Sequence, residues 1–99
     1  MKVVIKKSTN AKKKYMAVFY DDKNKPKKKI KTTHFGAAGM SDYTKHKDEP
    51  RKKRYMSRHR TREKWSSPMT AGSLSRWILW NKPTLKASIA DYKRRFNLD

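Results

Sequence analysis

Residues 35–50 read FGAAGMSDYTKHKDEP, and this stretch separates two kinds of sequence. Its two glycines, three residues apart, can adopt positive φ angles, so they suit a tight end to a sheet. Asp48 favours a helix N-terminus, and Pro50 is tolerated only in a first helical turn. The stretch therefore predicts that a β segment ends here and that a helix begins at about Thr44 or Asp48.

The sequence before this stretch is typical of β-strands. Residues 2–6 hold a short apolar run, and residues 15–20 are rich in aromatic and β-branched side chains. Residues 21–26 read DDKNKP, which is typical of a turn, so residues 27–35 can return as a partner strand. The many lysines suit solvated strand edges. We expect a two- or three-stranded antiparallel sheet.

The sequence after this stretch predicts three helices. The first extends to Lys64, where the run SSP at residues 66–68 stops it. The second covers residues 70–80, and Thr84 can cap the third. Apolar residues of the third helix follow helical spacing, and they are Leu85, Ile89, Tyr92 and Phe96. Strands followed by helices predict an α+β fold.

Length and composition indicate one small, strongly basic domain. The 99 residues include 28 Lys and Arg but only 8 Asp and Glu, which gives a formal net charge of +20. We expect a single domain over 1–99, with a Lys-rich β segment (1–35) and a helical segment (36–99). The chain has no cysteine, which excludes disulfides and thiolate zinc sites. So many like charges repel one another and predict an anionic partner.

Five cations of the predicted first helix fall on one face. At 100° per residue they lie within about 80° of one another. Most carry guanidinium groups, which suit phosphate or carboxylate. The nearby acids Asp48 and Glu63 fall toward the opposite side, so no acid interrupts the stripe. The alternative is a solvated face that only keeps the protein soluble. We call this set the basic ridge: Lys47, Arg51, Arg54, Arg58 and Arg62.

Two lysine clusters in the β segment are further candidates for polyanion binding. Lysine is a flexible point charge that holds phosphates without fixed geometry. The aromatic residues between the clusters either stack on single-stranded nucleic acid or form the core, and the core is favoured. The clusters are Lys12, Lys13 and Lys14, and Lys27, Lys28 and Lys29; the aromatic residues are Tyr15, Phe19 and Tyr20.

Nothing in the sequence predicts catalysis, a metal or a cofactor. The three histidines, His34, His46 and His59, lack zinc-protease spacing, and the four acids near them serve equally as helix caps or ion-pair partners. We therefore expect no enzyme, no metal site, no cofactor and no small-molecule substrate.

The aromatic residues near the C-terminus are either core or a protein interface, with Trp77, Trp80 and Tyr92 as the candidate interface residues.

Two long motifs carry a family resemblance. The first comprises Phe35, Gly36, Gly39, Ser41, Asp42, Tyr43, Thr44, His46, Lys47, Asp48, Arg51, Lys52, Tyr55, Arg58, His59 and Trp65; the second comprises Thr70, Ala71, Gly72 and residues 74–80. Together they resemble small basic proteins encoded by large nucleocytoplasmic DNA viruses, of the chlorella-virus and giant-virus kind. The resemblance covers residues 35–96. It implies a viral setting, in the virion and, during assembly, in the host nucleus or cytoplasm, but it supplies no activity.

Three functions are compatible with a basic virion protein. The first is non-specific binding of nucleic acid, chiefly double-stranded DNA, through the Lys and Arg surface. The second is a minor capsid protein that meets acidic capsid surfaces or an anionic membrane face. The third is an enzyme acting on DNA, which we rank last.

Overall fold

The computed structural model describes residues 1–21 and 28–99 and has an α+β fold, as the sequence predicts. A three-stranded antiparallel sheet in the order β1–β2–β3 precedes the helices. The strands are β1 (Lys2–Lys7), β2 (Lys13–Asp21) and β3 (Lys28–Ala37). The helices are α1 (Tyr43–His46), α2 (Glu49–His59), α3 (Ala71–Leu74), which continues as a π-helical turn (Ser75–Leu79), and α4 (Leu85–Arg95). Most of the predicted turn, residues 22–26, lies outside the described residues.

The central strand β2 supplies much of the core. Its residues Met16–Phe19 are all buried, although alternate side chains of a strand point to opposite faces. Phe19 pairs with Val3 on β1, and both side chains have no exposed surface. Exposed lysines lie on the two outer strands (Lys6 and Lys7 on β1; Lys28, Lys29 and Lys31 on β3) and at the start of β2 (Lys13). The prediction that lysines lie on solvated strand edges is confirmed for the outer strands.

Helices begin near both Thr44 and Asp48, the two positions that the sequence offered as alternative starts of a single helix. Asp42 caps α1 by accepting from the Thr44 backbone N–H, and Asp48 caps α2 by accepting from Arg51. Lys47 lies between the helices with a φ of 54°, a left-handed conformation that ends α1. Pro50 lies in the first turn of α2, as predicted.

The predicted end of the first long helix is wrong. Helix α2 ends at His59, and residues 60–62 form turns instead of continuing to Lys64. Glu63 lies just beyond this end. Its carboxylate meets His59 Nδ1 at 3.2 Å and accepts from the Trp65 indole N–H at 3.1 Å, so it connects the last residue of α2 to the segment that follows.

The C-terminal helices complete the core against the sheet. Leu74, Ile78 and Tyr92 have no exposed surface and pack in one cluster with Phe19 and Phe35. The Tyr92 hydroxyl donates to the carbonyl of Pro68 at 2.6 Å. Tyr92 is therefore a core residue, which corrects its place among the candidate interface residues. The apolar stripe predicted for α4 is confirmed, since its other members also pack against the core.

Gly36 allows β3 to pass close to the π-helical turn. Its φ is 79°, and a Cβ at this position would lie 2.7 Å from Leu79 Cδ1, a buried atom. We expect Gly36→Ala to lower the free energy of unfolding by about 2–4 kcal/mol, because backbone strain and overpacking add. Gly39 is the matched control. Its φ is 84° with nothing within 4 Å of the would-be Cβ, so Gly39→Ala should cost only the strain, about 1–2 kcal/mol. Equal losses in urea denaturation would contradict the proposed contact.

Asp91 makes the stability of the fold sensitive to acid. A hydrogen bond from Asn81 Nδ2, 2.7 Å from Oδ2, together with Arg94 and Arg95, holds the pKa of this carboxyl below its ordinary value. The stabilisation is therefore present above pH 3.8, the ordinary value, and is lost as the pH falls through the lower folded-state pKa. We expect Asn81→Ala to raise the Asp91 pKa in a carboxyl NMR titration. An unchanged titration would show that the hydrogen bond does not set this pKa.

Candidate nucleic-acid interface

The basic ridge is exposed along its whole length. Arg51, Arg54 and Arg58 lie on α2 with exposed side chains. Lys47 is exposed at the junction of α1 and α2, and its Nζ donates to the Thr44 carbonyl at 3.1 Å. Arg62 is also exposed, but it lies in the turn after α2 and not on the predicted helix. The ridge therefore has three members on the helix and one beyond each end.

No acid neutralises the ridge among residues 1–21 and 28–99. The two acids nearest to it in sequence are engaged elsewhere: Asp48 caps α2, and Glu63 contacts His59 and Trp65. None of the ion pairs in the described part of the chain includes a ridge side chain. The ridge thus presents uncompensated positive charge, mostly as guanidinium groups that bind phosphate oxygens in pairs.

The opposite side of α2 fixes the direction of the ridge. Tyr55 is buried and stacks on Trp80 with ring centroids 4.4 Å apart and planes 3° from parallel. Lys52 donates through Nζ to the Asn81 carbonyl at 2.7 Å, and the same Nζ lies 4.7 Å from the centre of the Tyr43 ring. These contacts hold one face of α2 against the domain, so its other face points to solvent.

Lys14 is wrongly included among the polyanion-binding candidates. Its side chain is only 9% exposed, and its Nζ lies 2.5 Å from Oδ2 of Asp42, which is itself buried. Its charge is therefore neutralised inside the fold. A sequence cluster of three lysines gives no sign of this, because the partner is 28 residues away.

The remaining described lysines of the two clusters lie at opposite ends of the sheet. Lys12 and Lys13 are exposed at the start of β2, where Lys13 pairs with Ala37. Lys28 and Lys29 are exposed at the other end, where Lys28 pairs with Asp21. Eight residues of strand separate the two ends by about 26 Å. The clusters do not form one lysine surface, and Lys27 lies outside the described residues.

The aromatic residues of the β segment do not form the stacking surface considered for single strands. Phe19 is fully buried. Tyr15 packs against the core, with its ring 6.1 Å from that of Phe35, and Tyr20 is half-buried. The core interpretation, which the sequence favoured, is thus confirmed for Phe19 and holds in part for Tyr15.

A cavity of about 410 Å³ lies next to the ridge, and the sequence did not predict it. Arg58 and Lys13 both line it, so the structure brings one lysine cluster to the ridge. Buried residues of three elements, Phe35, Tyr55 and Leu79, line its apolar part. Because those residues are distant in sequence, no local pattern indicates the cavity.

Three rings form a stack in the wall of this cavity. Tyr55 stacks on His59 and on Trp80, with centroid distances of 4.4 Å in both cases. Two rings cannot both stack 4.4 Å from Tyr55 on the same side of its ring, so Tyr55 lies between His59 and Trp80. Burial raises the pKa of the Tyr55 phenol, which keeps it neutral. His59 forms the accessible end of the stack, since its side chain is 39% exposed.

The two tryptophans considered for a protein interface have partners inside the domain. Trp77 donates its indole N–H to the Trp65 carbonyl at 2.9 Å, and its ring lies 3.9 Å from the Arg95 guanidinium and 4.3 Å from that of Arg76. Burial lowers the pKa of the Arg76 guanidinium, and the nearby positive charge of Arg95 lowers it further by a smaller amount. Trp80 stacks on Tyr55. Both tryptophans are half-buried and pack against the core.

Comparison with known proteins finds a sequence family without an assigned activity. Residues 3–59 match a family of unknown function (DUF5754), which is more than half of the chain. No curated protein and no solved structure matches.

Across residues 1–21 and 28–99, no group of three or more His, Cys, Asp or Glu side chains is placed to hold a metal ion. Nor is any helix in those residues both long and apolar enough to cross a membrane.

Proposed function

The chain belongs to a family of unknown function (DUF5754). We propose that it is a non-enzymatic protein that binds nucleic acid with little sequence preference. The basic ridge contacts the phosphates, and Lys12 and Lys13 extend the contact. The observation that carries the proposal is that the ridge is exposed and has no acidic partner among the described residues.

The dimensions of the ridge suit several consecutive phosphates of one backbone. Helix α2 has 11 residues and is therefore about 16 Å long, which matches the rise of about five base pairs. Side chains on one exposed face can reach phosphates but have no shape that selects a base sequence. Such contacts give affinity and position without direct readout.

The capsid alternative receives less support. It requires aromatic side chains that anchor a partner protein, and Tyr92 is fully buried while the Trp80 and Trp77 rings pack within the domain. Exposed cations without exposed aromatic residues suit a phosphate backbone better than a fixed protein surface. The family resemblance of the sequence places this binding in a virion, and that setting is part of the proposal.

Gel retardation tests the proposal. The protein should retard two duplexes of unrelated sequence equally at low salt and release both at a few hundred millimolar salt. Polyglutamate at the same charge concentration should compete more weakly, because guanidinium groups spaced along a helix match a regular phosphate backbone better than a flexible chain. Retardation of one sequence only, or of neither, would overturn the proposal. The same mixtures with added magnesium should leave the DNA uncut.

A further inference from the structure

We propose that the cavity beside the basic ridge accepts one unstacked nucleobase of a bound strand, while Arg58 and Lys13 hold the adjoining phosphates. This inference rests on the proposed function and specifies a second part of the same interface. It predicts that the protein distinguishes a strand with bases from a bare sugar-phosphate backbone.

The first argument is the shared position of Arg58. Arg58 belongs to the ridge and also lines the cavity, together with Lys13, and both side chains are exposed. A backbone that follows the ridge therefore passes the opening of the cavity. A base from the same strand then lies within reach, because base and phosphate belong to one nucleotide.

The second argument is the chemistry of the cavity wall. The aromatic stack ends at His59, and Phe35, Leu79 and Trp80 add apolar surface. Nucleobases stack on aromatic side chains with little regard for base identity. The volume of about 410 Å³ lies within the range of small-molecule sites, and it exceeds the space that a carboxylate side chain fills.

The third argument is the charge around the cavity. Its two acids are already occupied: Asp42 pairs with Lys14, and Glu63 contacts His59 and Trp65. Of the Lys and Arg side chains that line the cavity, Lys13 and Arg58 have no acidic partner among residues 1–21 and 28–99, and both are exposed. An apolar interior below a cationic opening is complementary to a flat ring carrying a phosphate.

Met40 provides an adaptable cover for such a ring. It lines the cavity and is 64% exposed, which is unusual for a large apolar side chain. It follows Gly39, whose φ of 84° holds the turn. Methionine side chains are flexible and make favourable contacts with aromatic rings, so Met40 can close over a base without a fixed shape.

The test compares a short oligothymidine with an abasic backbone of the same length, which carries the same phosphates. We expect the abasic strand to bind about 5- to 150-fold more weakly, the loss typical of one stacked base. Tryptophan fluorescence should fall on binding oligothymidine but not the abasic strand, because Trp80 lies in the cavity wall. Equal affinities with unchanged fluorescence would overturn the inference.

A cavity-filling variant locates the effect. Ala71 is exposed and lines the cavity, so Ala71→Trp should reduce oligothymidine affinity to that of the abasic strand and leave abasic binding unchanged. Ala90→Trp, at an exposed position of α4 that does not line the cavity, should change neither.

The outcomes separate the inference from the proposed function. Salt-sensitive binding of both strands with equal affinity overturns the cavity proposal and leaves ridge binding intact. Absence of binding to either strand overturns the cavity proposal, and it overturns ridge binding as well when the duplexes are not retarded either. An Ala71→Trp variant that weakens polyglutamate as much as oligothymidine would show that the cavity takes carboxylates and not bases.

Discussion

Replacing Asp42 with alanine is expected to lower the free energy of unfolding by about 3–5 kcal/mol. The substitution leaves Lys14 charged and without its partner at a site where its side chain is only 9% exposed. It also removes the cap of α1, since Asp42 accepts from the backbone N–H of Thr44. A domain of this size has a total stability of about 5–15 kcal/mol, so the variant should unfold at much lower urea concentration.

Two further variants separate the ion pair from the cap. Asp42→Asn keeps an oxygen acceptor for Thr44 but removes the negative charge, so it should retain only the capping part, about 1 kcal/mol. Adding Lys14→Met to Asp42→Asn should restore most of the stability, because no unpaired charge then remains buried. A loss of less than about 1 kcal/mol for Asp42→Ala would contradict the buried ion pair.

Replacing Arg51, Arg54 and Arg58 together with alanine is expected to weaken duplex binding about 500-fold at 0.1 M salt. Each phosphate contact makes the association constant vary as the salt concentration to the power of about −0.9. Losing three contacts at 0.1 M salt therefore removes a factor of about 0.1 to the power −2.7. The fold should be unaffected, because the three side chains are exposed and alanine favours helix. Circular dichroism checks the fold, and a fluorescence binding titration measures the affinity.

The control removes the same charge elsewhere. Lys31, Lys82 and Lys86 are exposed and are not members of the ridge, so their joint replacement with alanine lowers the net charge equally. Charges more than about 10 Å from a phosphate are largely screened at this salt concentration, so the control should bind almost as tightly as the natural protein. Equal losses in the two variants would mean that net charge, and not the ridge, determines affinity.

Periodicity made much of the fold predictable. Residues 15–20 are rich in aromatic and β-branched side chains, as strands are, and the stripe from Leu85 to Phe96 repeats as a helix does; the structure has β2 and α4 at these places. Helix starts were also readable, because Asp48 and Thr84 are capping residues. These signals are local, since each depends only on neighbours within about one turn or one strand.

The parts that the sequence did not predict depend on contacts between distant residues. Lys14 looks like any other surface lysine until the fold brings Asp42 to it. The cavity next to Arg58 is assembled from β2, β3, α2 and α3 and the segments between them, so no single segment carries its pattern.

The ridge itself was predictable, apart from the positions of Lys47 and Arg62, which lie beyond the two ends of α2. Exposure of the helical face follows from the spacing of its charged residues. The sequence also placed Asp48 and Glu63 away from the ridge, and the structure confirms that both are engaged elsewhere. What the ridge binds stays a prediction, because charge alone indicates a polyanion without naming it.

The salt dependence of duplex binding tests the central claim most directly. If the five ridge cations each contact one phosphate, a plot of log affinity against log salt concentration should have a slope of about −4.5. The triple arginine variant should give a slope shallower by about 2.7, and the triple lysine control should keep the slope of the natural protein. Indistinguishable slopes for the two variants would contradict the ridge as the phosphate-binding surface.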